Sequence, residues 1–592
     1  MEIIKQNKLS ISILLFLSAA SLTSEIYAEV QEVETVTIIG TKADVKELPG
    51  SGTIVSNEEL QKAMDTDIHK ILSAVPGVYF RTEDGYGLRP NISIRGTSID
   101  RSAKITLMED GILVAPAPYT SSSAYYFPTT GRINSVEVLK GPSSISQGPS
   151  TIGGAINMIS TPIPEEASGK LTQEFGQNGM LRTHAYYGGV SGNFGGLVEV
   201  HEHQSDGFDS IANVGGDTGF DKSDFMMKAR YENGDHSLTF KMVEIDEVSD
   251  QSYVGLSGKS FNANPRLRYG MTQYDQMSND GDQKSLTYLG DFEKFKVVAS
   301  TWSNDYHRDW FKVDKANNNS DHGVGNGINT VISAANAGNE NAQAILDGAL
   351  AVQVKLKHNN RFYTNEGYQF KVSTDVKNHN ITIGYRDMED SESRYQNYEC
   401  FDQSANGTNS ALYACSSGYT GSNNRLRVSK ATSFYIEDKI TIGALALTIG
   451  HRSEDYDQVE NRWNDGVQTR ILLASGYPRT KDGDHSTTGF GATYDLNDNL
   501  QLVAGFHEGM TAMFGTDPEK ADNMELGFRY ARNDSSLEAF YFASDYKNLK
   551  AVCKNSQGGD CSDGDVFDGG AVDVTGIEIS GSHIFNGSTG IL

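Results

Sequence analysis

Apolar and polar positions alternate along most of this chain. In HSLTFKMVE, His236 to Glu244, Leu238, Phe240 and Met242 alternate with Ser237, Thr239 and Lys241. FMMKARY puts Phe225, Met227, Ala229 and Tyr231 on one side and Lys228 and Arg230 on the other. LQLVAGFH sets Leu500, Leu502, Ala504 and Phe506 against Gln501, Gly505 and His507. A period of two predicts strands with one apolar face. From about Gly169 onward the pattern recurs in segments of roughly ten residues, the length that crosses a bilayer as a tilted strand.

A soluble sandwich would alternate in the same way, so the connections decide. Short polar turns stand at Glu232–Asp235, Leu496–Asn499 and Ala531–Asp534. Between them lie long excursions, Val248–Asp282, Arg308–Gly367, Glu389–Ser429 and Glu454–Ser486. Short turns at one end and long loops at the other predict an antiparallel outer-membrane β-barrel, whose closure satisfies every backbone group in lipid. The alternating segments number about 16.

Residues 48–165 read differently. SNEELQKAM pairs Ser56 with Glu59 in a capping box, and the helical region it opens is expected to run to Pro76. Short strands follow in NISIRG, ITLMEDG, SVEVLKG and AINMIS, giving a compact mixed α/β domain. Residues 1–28 carry Lys5, Lys8, an apolar run from Ile11 to Leu22 and Ala28, the layout of an export signal. Residues 29–47 hold one short β-prone stretch with no neighbouring strand.

Composition narrows the function. A net charge of −27 argues against nucleic acid as a partner. The four cysteines fall as Cys400 with Cys415 and Cys553 with Cys561, both in long loops of an exported chain, and two local disulfides are expected. No nucleophile elbow, zinc-protease motif or P-loop is present, so no enzyme is expected.

The motifs of the first 165 residues resemble, in order, those of the TonB-dependent outer-membrane receptors. ETVTI (Glu34, Thr35, Val36, Thr37, Ile38) is similar to a TonB box. VPGV, ISIRG with Arg95 and Gly96, LMEDG with Glu109, Asp110 and Gly111, VEVLKGPSS with Glu137, Lys140 and Gly141, and GGAINMIST resemble the plug series. NMELGFRY and VDVTGIEISG resemble barrel motifs. Gly87 to Tyr119 looks most like the ferric citrate receptor group.

The resemblance implies a 22-stranded antiparallel barrel with the 48–165 plug domain in its lumen, in the outer membrane of a Gram-negative bacterium. Against that number the 166–592 barrel is expected to be C-terminally incomplete, leaving its first and last strands unpaired. It implies a receptor that imports a ferric chelate, ferric dicitrate or a related iron–siderophore complex. The energy comes from TonB at the inner membrane. Haem or another metal complex carried by the same machinery is the alternative, and an adhesin or passive porin a more distant one. Iron is cargo, no resident cofactor is expected, and the expected state is a monomer in outer-membrane lipid.

Ligand contacts are expected from arginine, which matches carboxylate geometry. The candidates are Arg89, Tyr119, Ser121, Ser123 and Arg308, with Arg266 and Arg268 beside long loops. Arg95 is expected to bridge plug and barrel. His201 and His203 are expected to be plain lumen histidines, and Asn317–Gly327 a solvated loop without calcium. Asn339–Val352 is expected to form a short helix within a long loop.

Overall fold

The computed structural model describes residues 36–413, 415, 418–467, 469–552, 566–585 and 589–591. The export signal, Glu34 and Thr35 of the tail, and Cys553 and Cys561 lie outside the described residues.

The small domain is built on a five-stranded sheet. Its order is Gly52–Val55, Ile133–Leu139, Ala155–Ser160, Thr106–Glu109 and Ile112–Leu113. Ile92–Ile94 belongs instead to a separate ladder with Val78–Phe80. The capping box forms as expected, with Glu59 accepting from the Ser56 N–H at 2.9 Å. The helical region is split, however. Asn57–Ala63 ends where Met64 turns left-handed, and Ile68–Leu72 begins anew with Asp67 accepting from the His69 N–H. The core of Ile92, Ile94, Leu107, Val136, Val138 and Ile156 also takes in Tyr306 and Tyr363 from the barrel wall. Plug and barrel therefore share one hydrophobic core.

Around this plug the remaining strands, apart from the short parallel pair Ser210–Ile211 and Leu267–Arg268, form a closed barrel. Sixteen strands of eight residues or more make its wall among the described residues, from Ser168–Phe175 to Val566–Phe585. The expectation of two unpaired edges is corrected. The short strand Thr589–Ile591 pairs with His583, Ile584 and Phe585 and stands beside Ser168–Phe175 in the ring. Among the described residues no helix is long and apolar enough to cross a membrane.

Alternation sorts the wall into two surfaces. Phe370, Tyr385 and Phe434 face outward side by side on three neighbouring strands, with Ile383 and Ile436 in the next row. Above them the outward row turns to Glu366, Asp387 and Glu389, which marks the end of the apolar band. The wall continues well past this point. Val352–Val376 and His379–Gln403 are each 25 residues long, roughly 80 Å of strand. Of the long excursions read from the sequence, Glu389–Ser429 and Glu454–Ser486 are thus mostly strand, while Val248–Asp282 and Arg308–Gly367 are strand only toward their ends. Outside lipid no apolar outer face is needed, so alternation fades although the ladder goes on.

Candidate ligand-binding site

Buried ion pairs fasten the plug to the wall. Arg95 reaches Glu525 at 2.9 Å and Glu578 at 2.9 Å, and Lys140 reaches Glu578 at 2.7 Å. Arg95 is therefore a plug–barrel bridge. A second knot joins Arg132 to Glu109 (2.5 Å) and Asp224 (3.2 Å), while Lys241 binds Glu109 (3.0 Å) and Asp110 (2.6 Å). Burial pushes the Glu109 carboxyl up, but Arg132 and Lys241 outweigh it and hold it below the usual carboxylate range.

Above these knots the wall carries a row of arginines that the register alone reveals. Arg308 stands opposite Arg361, Arg361 opposite Arg394, Arg394 opposite Arg425, and Arg425 opposite Arg462. All five share the parity of lumen-facing neighbours such as Trp310, Tyr363, Glu392 and Glu460. Like charges directly opposite destabilise a sheet by about 0.2–1 kcal/mol per pair. Two carboxylates relieve part of this. Glu392 accepts from Arg361 (2.9 Å) and Arg425 (2.6 Å), and Glu460 from Arg462 (2.7 Å).

Arg308 has no carboxylate partner among the described residues. It is 0% exposed, and its Nε, Nη1 and Nη2 have no hydrogen-bond partner among the described residues. Its guanidinium lies 3.7 Å from the ring centre of Tyr125, in the plug's apical loop Ala115–Pro128. Arg101 lies 5.3 Å from the same ring, with Nη1 also unpartnered. The Tyr306 hydroxyl donates to the Tyr125 carbonyl at 2.8 Å and fixes the loop. Plug apex and wall thus present unused cationic donors to one place.

Tyr125 registers this field. Burial raises its phenol, but Arg308, Arg101, Arg361 and Lys312 prevail and lower it to about 7. The lowered value stabilises the fold fully above the ordinary tyrosine range near 10, and that contribution disappears as pH falls through about 7. Near-ultraviolet titration is expected to show one phenolate appearing near neutrality and its loss in Tyr125→Phe. A titration in which no tyrosine ionises below pH 9 would contradict the described cluster.

The other sequence candidates fall in several places. Arg89 is buried below the apex, 3.6 Å from Asp84 and 3.4 Å from Glu247. The Tyr119 hydroxyl donates to Glu454 at 2.5 Å and its N–H to Asp390 at 2.6 Å, so this residue wedges plug against wall. Ser121 and Ser123 are half-buried on the apical loop. Arg266 and Arg268 do not join the cluster. Arg268 donates to the carbonyl oxygens of Asp250 and Thr272 and braces its own loop, and Arg266 lies over Phe208.

His201 and His203 face the lumen, and His201 is pressed against Gly131 of the plug. No group of three or more His, Cys, Asp or Glu able to hold a metal is found among the described residues. Asn317 caps the carbonyls of Asp321 and Val324 within its own loop. Cys400 and Cys415 form a disulfide, Cα to Cα 6.0 Å. The short helix expected within Asn339–Val352 is Glu340–Leu346, and a second, Ile328–Asn336, precedes it in the same loop. Arg101, Lys312, Arg361, Arg394, Arg425, Arg462 and Tyr125 were not singled out by sequence. The only signal is an arginine at lumen parity on each successive strand, visible once the register is known.

Comparison with known proteins follows the same division of the chain. Residues 44–155 match the family model described as the TonB-dependent receptor plug domain, and residues 172–590 that described as the TonB-dependent receptor-like β-barrel. The vitamin B12 transporter of Photobacterium profundum is 22% identical over 389 residues, covering 61% of this chain and 62% of its own length. The ferric enterobactin receptor of Pseudomonas aeruginosa is 21% identical over 605 residues, covering 90% of this chain and 73% of its own. Among solved structures, the unliganded ferric citrate transporter FecA superposes with a TM-score of 0.71 at 18% identity, covering 93% of this chain and 78% of that one. The ferric yersiniabactin uptake receptor of Yersinia pestis gives 0.69 at 17%, covering 92% and 77%.

Proposed function

Because the chain belongs to the TonB-dependent receptor family, we propose that it imports an anionic ferric chelate, of the carboxylate type that includes ferric dicitrate. The family is one of Gram-negative outer-membrane receptors, not of enzymes, and the outer membrane is where this chain resides. The observation that carries the proposal is Arg308, a buried guanidinium whose three nitrogens have no hydrogen-bond partner among the described residues, at the end of the arginine row and against the plug apex. Such donors are costly to leave unused in a protein with no anionic ligand to meet them. A planar fork matches a carboxylate in two bonds, so a polycarboxylate chelate fits several forks at once.

Energy cannot come from the outer membrane itself, which holds no sustained ion gradient. The plug fills the lumen and is pinned to the wall by Arg95, Lys140, Arg132 and Lys241. On this reading TonB, at the inner membrane, takes the segment Glu34–Ile38 as an added strand and pulls. The protein acts as a monomer, and iron enters as cargo.

Growth on single iron sources tests the chelate class. A strain whose other iron receptors are deleted is expected to grow on ferric dicitrate or a ferric polycarboxylate only when it carries this protein, and to gain nothing on an uncharged siderophore. Growth on the uncharged siderophore alone would overturn the assignment.

A further inference from the structure

The described part of the tail is held against the plug. Ile38, Ile39 and Gly40 aim three successive N–H groups at one carboxylate, that of Glu137, at 2.9, 2.8 and 2.8 Å. Gly40, at φ +84°, supplies the left-handed turn that brings the third donor round. Asn157 Nδ2 gives the same carboxylate a fourth hydrogen bond at 2.8 Å and also donates to the Val36 carbonyl at 3.1 Å. The Asn157 Oδ1 is fixed in turn by the Gly111 N–H at 3.0 Å. Gly111 (φ +74°) lets Val36 lie flat, since a Cβ there would come within 2.7 Å of Val36 Cγ1. Glu137 is 0% exposed.

Three of the four groups found donating to this buried carboxylate thus come from the tail. Removing the tail leaves a buried anion short of donors, which is expensive, so the two conformations are sharply separated. The holding site is also in line with the ligand site. Arg132 donates to the Tyr126 hydroxyl of the apical loop at 2.7 Å and to Glu109, two residues before Gly111.

We propose that Glu137, oriented by Asn157, is the positioning residue that keeps the tail docked, and that the segment before it reaches its partner only when these hydrogen bonds break. The inference rests on reading Glu34–Ile38 as the TonB-binding segment.

The test uses the full-length protein in outer-membrane vesicles, with a spin label at Thr37→Cys and a soluble periplasmic fragment of TonB. Glu137→Gln and Asn157→Ala are each expected to raise the ratio of mobile to docked label roughly tenfold, the factor expected when a charge-assisted hydrogen bond is lost. Capture of the TonB fragment is expected to rise with it. Protease resistance of the plug and affinity for ferric dicitrate stay as in the parent, which a general loosening would not allow. Asn157→Ala keeps the charge of Glu137 and serves where Glu137→Gln disturbs the plug. Glu137→Asp is expected to restore docking in part. Unchanged label mobility in both variants would overturn the proposal. A mobile tail that no TonB fragment captures would uphold the latch and overturn the reading of the tail.

Discussion

Arg308→Met is expected to weaken binding of ferric dicitrate at least about thirtyfold, a loss of ~2 kcal/mol or more, the lower end for truncating one side of a buried charge pair. Its guanidinium has no hydrogen bond to lose among the described residues, only its contact with the Tyr125 ring, so the loss of affinity reports on the ligand. The empty receptor should respond in the opposite sense. The substitution removes a like charge opposite Arg361 and three unsatisfied donors but also the main charge that lowers the Tyr125 phenol, so thermal stability without ligand should rise at pH below about 7, where that phenol is protonated. Arg462→Met at the far end of the row, where Glu460 already holds the side chain, should cost only a few-fold. Titration calorimetry with ferric dicitrate and thermal unfolding of the empty protein read both signs. Unchanged affinity with lowered stability would make Arg308 a structural arginine and remove the basis of the site.

How far the sequence was readable depended on where each residue stands relative to lipid. Leu238, Phe240 and Met242 face outward and Ser237 and Lys241 inward on His236–Ser249, because water and lipid on opposite faces impose a period of two. The same rule fails for the strand Gln276–Asp291, nearly half of which reads as excursion. Its outward residues Ser278, Asp280 and Asp282 lie beyond the apolar band, and nothing there distinguishes the two faces. Arg95 and Lys140 were recognised from local motifs, and their carboxylate partners lie more than 400 residues away.

The arginine row is a different case. Its five members are spread from residue 308 to residue 462, and only the register sets them side by side. Proximity to a loop was a poor guide, since it favoured Arg268, whose donors are taken by its own loop. The held tail was likewise hidden. A strand-prone stretch without a local neighbour looks free, until Glu137, almost a hundred positions on, supplies the acceptor for its N–H groups.

The second large effect separates binding from transport. Thr37→Pro removes one N–H from the tail and fixes its φ, so the proposed strand addition to a partner's sheet edge loses both a donor and the tail's freedom to align. Leaving the partner's carbonyl unsatisfied costs about 1–3 kcal/mol, which predicts a fall in uptake of roughly ten- to a hundredfold. The arginine row and the plug apex are untouched, so surface binding should stay within about twofold of the parent.

Uptake and binding of iron-labelled ferric dicitrate, measured on the same energised cells carrying the parent protein or Thr37→Pro, test this account most directly. It predicts normal binding with uptake reduced to the level of cells lacking TonB. Uptake at the parent's rate in the proline variant would contradict it.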